Sequence, residues 1–227
     1  MILFKQWAIK KQDMSCTYGL GSLLKHLEAL SGRVLATHNG ELQPETQAAF
    51  NLSSIICKTR RWEWPWAIRK ALDHMYESGA SDDINVLDIG SGFRPFTIWL
   101  RDFLLNVTAV DNLSWNTKEN LAGLFEEYGI NFVNADATDL PFADGEFDYS
   151  FCISVIEHCE EDAIKKIISE GCRVTKPRGL FIVTVDACDK VDFLLPDDPI
   201  PEDVIRTNSG APVAGIIFTG ENGGDFA

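Results

Sequence analysis

Residues 86–95 read Val86-Leu-Asp-Ile-Gly-Ser-Gly-Phe-Arg-Pro95, an apolar run that ends in an acid and two closely spaced glycines. The apolar residues predict a strand that is buried on both faces of a sheet. Gly90 and Gly92 lack a Cβ, so a ligand can lie directly against the backbone. Pro95 suits the first turn of a helix because its φ angle is already fixed. The stretch therefore predicts a strand, a glycine turn and a helix.

Three interpretations of this turn remain open on its own residues. It is an ordinary turn without a ligand, a dinucleotide site, or a site for a ligand that carries positive charge. A dinucleotide fingerprint is G-x-G-x-x-G, but the third glycine position is Pro95 here, and the anionic Asp88 would face the pyrophosphate. A carboxylate at the end of a strand instead suits a cationic ligand, such as a sulfonium amino acid.

The composition is that of an acidic globular protein with one domain and an appendage. The chain has 227 residues, of which 45% are hydrophobic, and a formal net charge of -14. Nucleic-acid binding needs clustered Lys and Arg, so we expect no nucleic-acid partner. The one basic cluster, residues 58–61, favours a solvated helix end over a contact with an anionic substrate.

The cysteines predict neither a disulfide framework nor a metal site, because they form no C-x-x-C pair and no ligand spacing with the four histidines. We interpret them as free thiols of a cytoplasmic protein. The apolar run at the N-terminus is too short for a signal peptide, and no stretch reaches the ~20 apolar residues of a membrane span. The six residues are Cys16, Cys57, Cys152, Cys159, Cys172 and Cys188.

Residues 1–80 form a helical N-terminal extension that we expect to act as a lid, and residues 81–227 form the ligand-binding domain. Leucines between Leu20 and Leu30 recur at helical spacing, and Gly32 follows as a stop. Pro44 starts a second helix. The tryptophan-rich stretch at residues 60–66 favours a packing plug over a substrate cage, and a helix is predicted after it at residues 66–77.

From residue 85 onward, strand and helix patterns alternate, which predicts a parallel sheet with helices on both faces. Helices are predicted near residues 118–128 and at residues 161–174. The acidic, proline-rich residues 195–203 indicate an extended loop. After the fifth strand, a strand pattern returns only at residues 213–219. The five predicted strands are residues 85–89, 107–111, 131–136, 148–155 and 180–185.

Three of these strands end in an acid, namely Asp88, Asp111 and Asp136. A single acid at a strand end is usually a turn former or a helix cap. Ligands of open α/β sheets bind outside the carboxyl ends of the strands. Three acids at that edge are better explained by one shared ligand.

The motif Asp88-x-Gly90-x-Gly92 resembles the first motif of the class I S-adenosylmethionine-dependent methyltransferases. The stretches at residues 145–158 and 173–179 resemble the small-molecule branch of that family, methyltransferase type 11, which carries Glu-His after the fourth strand. The resemblance implies a Rossmann-like, open, mostly parallel twisted sheet in an α/β fold. It also implies S-adenosyl-L-methionine as cofactor and no metal.

The resemblance assigns roles to individual residues. Asp111 would accept both ribose hydroxyls, and Asp136, with the amide of Ala137 nearby, would accept from the adenine amino group. His158, just after the fourth strand, is either the base for a hydroxyl acceptor or an exposed histidine at a helix start. The implied cofactor-binding residues are Asp88, Gly90, Ser91, Gly92, Asp111, Asn112, Asp136, Ala137 and Ser154.

Two features depart from the family pattern. Arg94 stands where a third glycine is usual, so the start of the helix is shaped differently or the arginine points away. The C-terminal strands are shortened, which predicts an open edge at the fifth strand and, through it, a homodimer. We expect methyl transfer to a small molecule, a saccharide or a lipid precursor. The alternatives are an inactive S-adenosylmethionine-binding protein and, with little support, a nicotinamide oxidoreductase.

Overall fold

The computed structural model describes residues 20–52, 60–79, 83–103, 106–114, 120–186, 205–206 and 212–219. The helices are α1 (Leu20–His38), α2 (Pro44–Phe50), α3 (Arg60–Ser78), α4 (Pro95–Phe103), α5 (Leu121–Glu127) and α6 (Glu161–Val174), with a short 3-10 helix at Ile156–His158. The strands are β1 (Asn85–Ile89), β2 (Asn106–Asp111), β3 (Asn131–Asn134), β4 (Phe147–Ile153), β5 (Thr175–Asp186), β6 (Ile205–Arg206) and β7 (Pro212–Thr219).

The strands form one sheet in the order β3-β2-β1-β4-β5-β7-β6. The first five strands of that order are parallel, and β7 runs antiparallel to both β5 and β6. The chain moves outward from β1 to β3 and then returns to pair β4 on the other side of β1. This reversal puts the switch point of the sheet between β1 and β4, which is where open α/β sheets bind ligands.

Helices cover both faces of the sheet. Successive side chains of a buried strand point to opposite faces, so apolar residues on each face pack against a separate layer of helices. Val86 of β1 joins a hydrophobic cluster with residues of α1 to α5. Leu87 and Ile89 join a second cluster, which contains the apolar side of α6. The predicted Rossmann-like, open, mostly parallel sheet in an α/β fold is confirmed.

The N-terminal helices differ from the prediction at two points. Gly32 does not end α1, which continues to His38 and stops where Asn39 and Gly40 have positive φ angles. The tryptophan-rich stretch lies inside α3, which begins at Arg60 and contains Pro65. Burial of side chains on these helices outweighs the local preference of glycine and proline to interrupt them.

The C-terminal strands correct a further expectation. β7 pairs with β5 over seven residue pairs, from Leu180 with Thr219 to Asp186 with Val213. The prediction of an open edge at the fifth strand was therefore wrong, and a homodimer through that edge loses its basis. The C-terminal part is nevertheless short, since β6 has only two residues.

Several expectations fall outside the described residues. These are the signal-peptide argument at the N-terminus, the extended loop at residues 195–203, Lys58 of the basic cluster, and the cysteines at positions 16, 57 and 188. The other three, Cys152, Cys159 and Cys172, are free thiols. Of the helices in the described ranges, none has the length and apolar character needed to cross a membrane.

Candidate functional site

A cavity of about 670 Å³ opens at the carboxyl edge of the parallel strands. Its wall is formed by the loops that follow β1, β2, β3 and β4, and by two residues of α3, Arg60 and Trp64. Volumes of roughly 300–1,000 Å³ are usual for ligand sites. All the site residues predicted from the sequence line it: Asp88, Gly90, Ser91, Gly92, Asp111, Asn112, Asp136, Ala137, Ser154 and His158.

The glycine turn after β1 requires glycine for a reason within the protein. Gly90 and Gly92 have φ angles of 67° and 46°, which favour glycine. A Cβ on Gly90 would lie 2.5 Å from a methyl carbon of Val155. The loop after β4 therefore packs directly on the turn, and a larger residue at position 90 would displace it.

Asp111, at the end of β2, connects two loops of the cavity. The side chain is 4% exposed, and its Oδ2 accepts from the backbone amide of Gly92 at 2.9 Å. Its Oδ1 accepts from the amide of Leu113 at 2.7 Å. Each carboxylate oxygen has a second lone pair, so the carboxylate can hold the glycine turn and also accept from a pair of ligand hydroxyls.

Asp88, at the end of β1, is only 2% exposed. Its Oδ2 accepts from the hydroxyl of Thr97 on α4 at 2.6 Å. Burial raises the pKa of Asp88 to about 7, the hydrogen bond from Thr97 opposes this rise, and the neighbouring Asp111 adds to it. Asp88 thus differs from a solvated carboxylate in exchanging its proton near neutral pH.

The loop after β3 carries an acid whose pKa is shifted in the opposite direction to that of Asp88. Asp136 is exposed, and its Oδ1 accepts at 2.8 Å from both the amide and the hydroxyl of Thr138. These hydrogen bonds hold the pKa of Asp136 below its usual value. Asn112 makes a similar local turn, because its Oδ1 accepts from the amide of Ser114 at 3.0 Å. Both loops are shaped by short side chains that bond their own backbone.

Ser91 provides a test of whether the cavity suits the implied cofactor. Its Oγ is buried, the residue is 4% exposed, and within the described part of the chain no hydrogen-bond partner is present for it. Buried polar groups without a partner are rare in native proteins, so a hydroxyl of this kind in a cavity wall is typical of a ligand contact. Together with carboxylates suited to hydroxyl and amino donors, it fits S-adenosylmethionine.

Ser154 and His158 follow β4. Ser154 has a φ angle of 52°, unusual for serine, and its Oγ donates to the carboxylate of Glu63 on α3 at 2.5 Å. His158 ends the short 3-10 helix, with its backbone amide bonded to the carbonyl of Val155 at 3.1 Å. His158 is exposed, as expected for a histidine at a helix start, and it also lines the cavity, as expected for a base.

Sequence reasoning missed several residues of the site. Arg94, which departs from the family pattern, is one of the residues that line the cavity. Arg60, assigned to a solvated helix end, also lines the cavity and bonds Glu63 and Ser154. Trp64 is buried as a packing residue and contributes to the cavity wall as well. The only signal was an acid and an arginine within a tryptophan-rich stretch.

Comparisons with known proteins concern the domain that contains this site. A family model described as a methyltransferase domain matches residues 87–183. Demethylmenaquinone methyltransferase of Renibacterium salmoninarum is 33% identical over 126 residues, which cover 56% of this chain and 48% of that protein. Sterol 4-C-methyltransferase of Caenorhabditis elegans is 31% identical over 106 residues, covering 45% and 31%. The chain thus spans about half, or less, of these relatives' length.

Among solved structures, the PH0226 protein of Pyrococcus horikoshii is 23% identical, with a TM-score of 0.46, over 74% of this chain and 77% of that one. The family match confirms the resemblance of residues 87–183 to class I S-adenosylmethionine-dependent methyltransferases. It also confirms S-adenosylmethionine as the cofactor of this domain. The roles of individual residues stay predictions.

Proposed function

We propose that this chain, whose residues 87–183 are an S-adenosylmethionine-dependent methyltransferase domain, transfers a methyl group to a small-molecule acceptor. A saccharide or a lipid precursor is the acceptor class that we favour. One observation carries this proposal: the acids that end β1 and β2 and the acid two residues after β3 meet the glycine turn in a single cavity. The relatives, which include a sterol and a demethylmenaquinone methyltransferase, support a small acceptor.

In this proposal, different residues of the cavity bind different parts of the cofactor. Asp111 accepts from the ribose hydroxyls while it holds the glycine turn. Asp136, with the amide of Ala137, contacts the adenine edge. Ser91 and the glycine turn contact the amino-acid part. When bound, S-adenosylmethionine supplies a methyl group on a positively charged sulfur, and the protein contributes chiefly by holding the acceptor in line with it.

His158 is the proposed base when the acceptor is a hydroxyl. It lines the cavity, and histidine is the side chain that most often takes a proton from a reacting group in enzymes. His158 would accept the proton of the acceptor hydroxyl on a ring nitrogen while the oxygen–methyl bond forms and the methyl–sulfur bond breaks, which would leave neutral S-adenosylhomocysteine.

The N-terminal extension, residues 1–80, is proposed to cover the acceptor side of the domain formed by residues 81–227. α3 supplies Arg60 and Trp64 to the cavity wall, and α1 to α3 share a hydrophobic cluster with the sheet. Exclusion of water by such a cover favours transfer to the acceptor. Trp64→Ala in the full chain should then keep cofactor binding and lower the rate of transfer, and unchanged transfer and selectivity would contradict the cover.

The cellular location of the enzyme and the class of its partners are proposed from its composition. The three free thiols in the described residues fit a cytoplasmic protein. The net charge of -14 makes a nucleic-acid partner unsuitable.

A second candidate is a protein that binds S-adenosylmethionine without transferring its methyl group. Arg94 favours it, because this residue lines the cavity at a position where the family pattern has a glycine. A methyl-release assay with a panel of sterols, quinols, carboxylates and sugars separates the two. Production of S-adenosylhomocysteine that depends on one acceptor supports the enzyme. Tight cofactor binding with no turnover on any acceptor class supports the second candidate.

A further inference from the structure

Arg173, in the last turn of α6, uses every N–H donor of its guanidinium group. Its Nε donates to Oε1 of Glu170 at 2.7 Å, and its Nη2 donates to Oε2 of the same residue at 2.7 Å. Nη2 also donates to the carbonyl of Leu140 at 3.0 Å. Nη1 donates to the carbonyl of Phe142 and to Oδ1 of Asp144, both at 2.8 Å. A guanidinium group holds its donors in a rigid plane, so these contacts fix its position.

Glu170 completes this set of contacts from the same helix. Its Oε2 also accepts from the backbone amide of Leu140 at 2.7 Å, so Leu140 is held at both its amide and its carbonyl. The carbonyl of Arg173 accepts from the amide of Gly145 at 2.8 Å. The hydrogen bonds from Arg173 lower the pKa of Glu170, so the pair is charged at neutral pH. We call Arg173 and Glu170 the loop clamp, because together they attach residues 140–145 to α6.

The clamped residues belong to the β3–β4 loop, residues 135–146, which also forms part of the cavity wall. Asp136, Ala137 and Thr138 line the cavity, whereas the loop clamp, within the described part of the chain, does not. A single residue separates Thr138 from the clamped Leu140, which is buried. Consecutive Cα atoms are about 3.8 Å apart, so a shift of the clamped backbone is passed on to the cavity wall.

The turn that lines the cavity is anchored on each side. On the strand side, the amide of Ala135 donates to the carbonyl of Asp111 at 3.3 Å. On the helix side, the loop clamp holds the chain. Between these anchors, the carboxylate of Asp136 accepts from the amide and the hydroxyl of Thr138, which shapes the turn from within. Loss of the loop clamp would therefore free one side of the turn and leave the strand side in place.

We propose that the loop clamp positions the residues that recognise the adenine base, so that Arg173 and Glu170 set the selectivity of the site for adenine. The inference rests on the proposed function, in which Asp136 and the amide of Ala137 contact the adenine edge. Adenine offers an amino donor beside a ring-nitrogen acceptor, and a carboxylate and an amide held side by side match that pair. A turn that can move adapts to other arrangements of donors and acceptors, so it discriminates less between bases.

The test is titration calorimetry with S-adenosylhomocysteine and S-inosylhomocysteine. In the second compound a carbonyl replaces the amino group and the adjacent ring nitrogen carries a proton, so donor and acceptor are exchanged at the base edge. The wild-type protein should prefer S-adenosylhomocysteine. Arg173→Met should reduce the ratio of the two affinities about 3- to 10-fold, the size expected for one hydrogen bond. A purely structural residue would lower the free energy of unfolding, or both affinities equally, and leave the ratio unchanged.

Two conservative variants change the loop clamp more mildly. Arg173→Lys keeps the charge but loses the planar set of donors, so its ratio should lie between those of Arg173→Met and the wild type. Glu170→Gln has one acceptor oxygen and should also reduce the ratio. Combined with Arg173→Met it should add little, because both residues act on the same loop, and additive effects would contradict their action as one clamp.

Ile182→Val is the matched control for lost stability. Ile182 is fully buried and belongs to the other hydrophobic cluster from Leu140, so this variant weakens the core without touching the β3–β4 loop. Its affinity ratio should equal that of the wild type. A fall as large as that in Arg173→Met would assign the effect to stability and overturn the inference.

The outcomes separate this inference from the proposed function. If the folded Arg173 variants and Glu170→Gln keep the wild-type ratio, the loop clamp is structural only and the inference fails alone. Equal wild-type affinities for the two compounds would also overturn it, because the site would then have no selectivity for adenine. If the folded wild-type protein binds neither compound, the proposed function fails.

Discussion

Replacing Asp111 with Asn tests the centre of the site with little change of shape. In the native protein the two carboxylate oxygens accept from the amides of Gly92 and Leu113 at 2.9 and 2.7 Å. An asparagine has one acceptor oxygen, so either the buried amide of Gly92 or the partly buried amide of Leu113 would face an NH₂ group instead. An unsatisfied buried donor costs about 1–3 kcal/mol, so the free energy of unfolding should fall by that amount. Asp111 thus stabilises the fold, apart from the binding role that is proposed for it.

The same substitution removes the charge that the proposal assigns to the ribose hydroxyls. Hydrogen bonds to charged groups contribute about 1.5–3 kcal/mol, so affinity for S-adenosylhomocysteine should fall about 10- to 100-fold. Calorimetry measures the affinity, and urea unfolding of the same preparations measures the stability. Asp83→Asn is the control, since Asp83 bonds Asn106 at the opposite edge of the sheet. An Asp111→Asn protein with wild-type affinity would refute this assignment.

Three further predictions concern other residues of the site. Because the pKa of Asp88 is raised to about 7, the stability that its protonated form contributes is complete below about pH 4 and is lost as the pH rises through 7. Over this range, the free energy of unfolding of the wild type, measured in urea, should fall by up to about 4 kcal/mol relative to that of Asp88→Asn. A difference between the two proteins that does not change with pH would contradict this prediction. Gly90→Val should lower the unfolding midpoint and abolish cofactor binding, since its Cβ would meet Val155. Gly40→Ala is the control, because only the φ angle is unfavourable there. Equal losses of stability in the two variants would argue against the clash. His158→Asn should slow transfer to a hydroxyl acceptor about 100-fold or more at unchanged cofactor affinity, and full activity would exclude it as the base.

Much of the sheet could be predicted because its signals are local. β1 and α6 have the predicted boundaries, since an apolar run and an amphipathic period each extend over the whole element. α1 was predicted too short because Gly32 has a low helix propensity. Leu30 and Val34 on either side of it are buried, and their packing outweighs the cost of about 1 kcal/mol for a glycine. β6 was missed because two residues carry no periodic pattern.

The site, like the sheet, has parts that local sequence patterns predict and parts that they do not predict. Acids at strand ends can be found from the sequence, because each follows its own strand and the parallel strands bring their ends together. The contact between Glu63 and Ser154 joins residues 91 positions apart. No local pattern records such a contact, so Arg60 was assigned to solvent and Glu63 was not considered. The packing of α3 across the strand ends supplies this part of the cavity.

The most direct test of the account is calorimetric titration of the wild-type protein with S-adenosylmethionine, with S-adenosylhomocysteine as competitor. The cavity at the carboxyl edge predicts one saturable site per chain, occupied by either compound and weakened by Asp111→Asn. Absence of saturable binding of both compounds to folded protein would contradict the central claim, and binding that Asp111→Asn leaves unchanged would place the cofactor elsewhere.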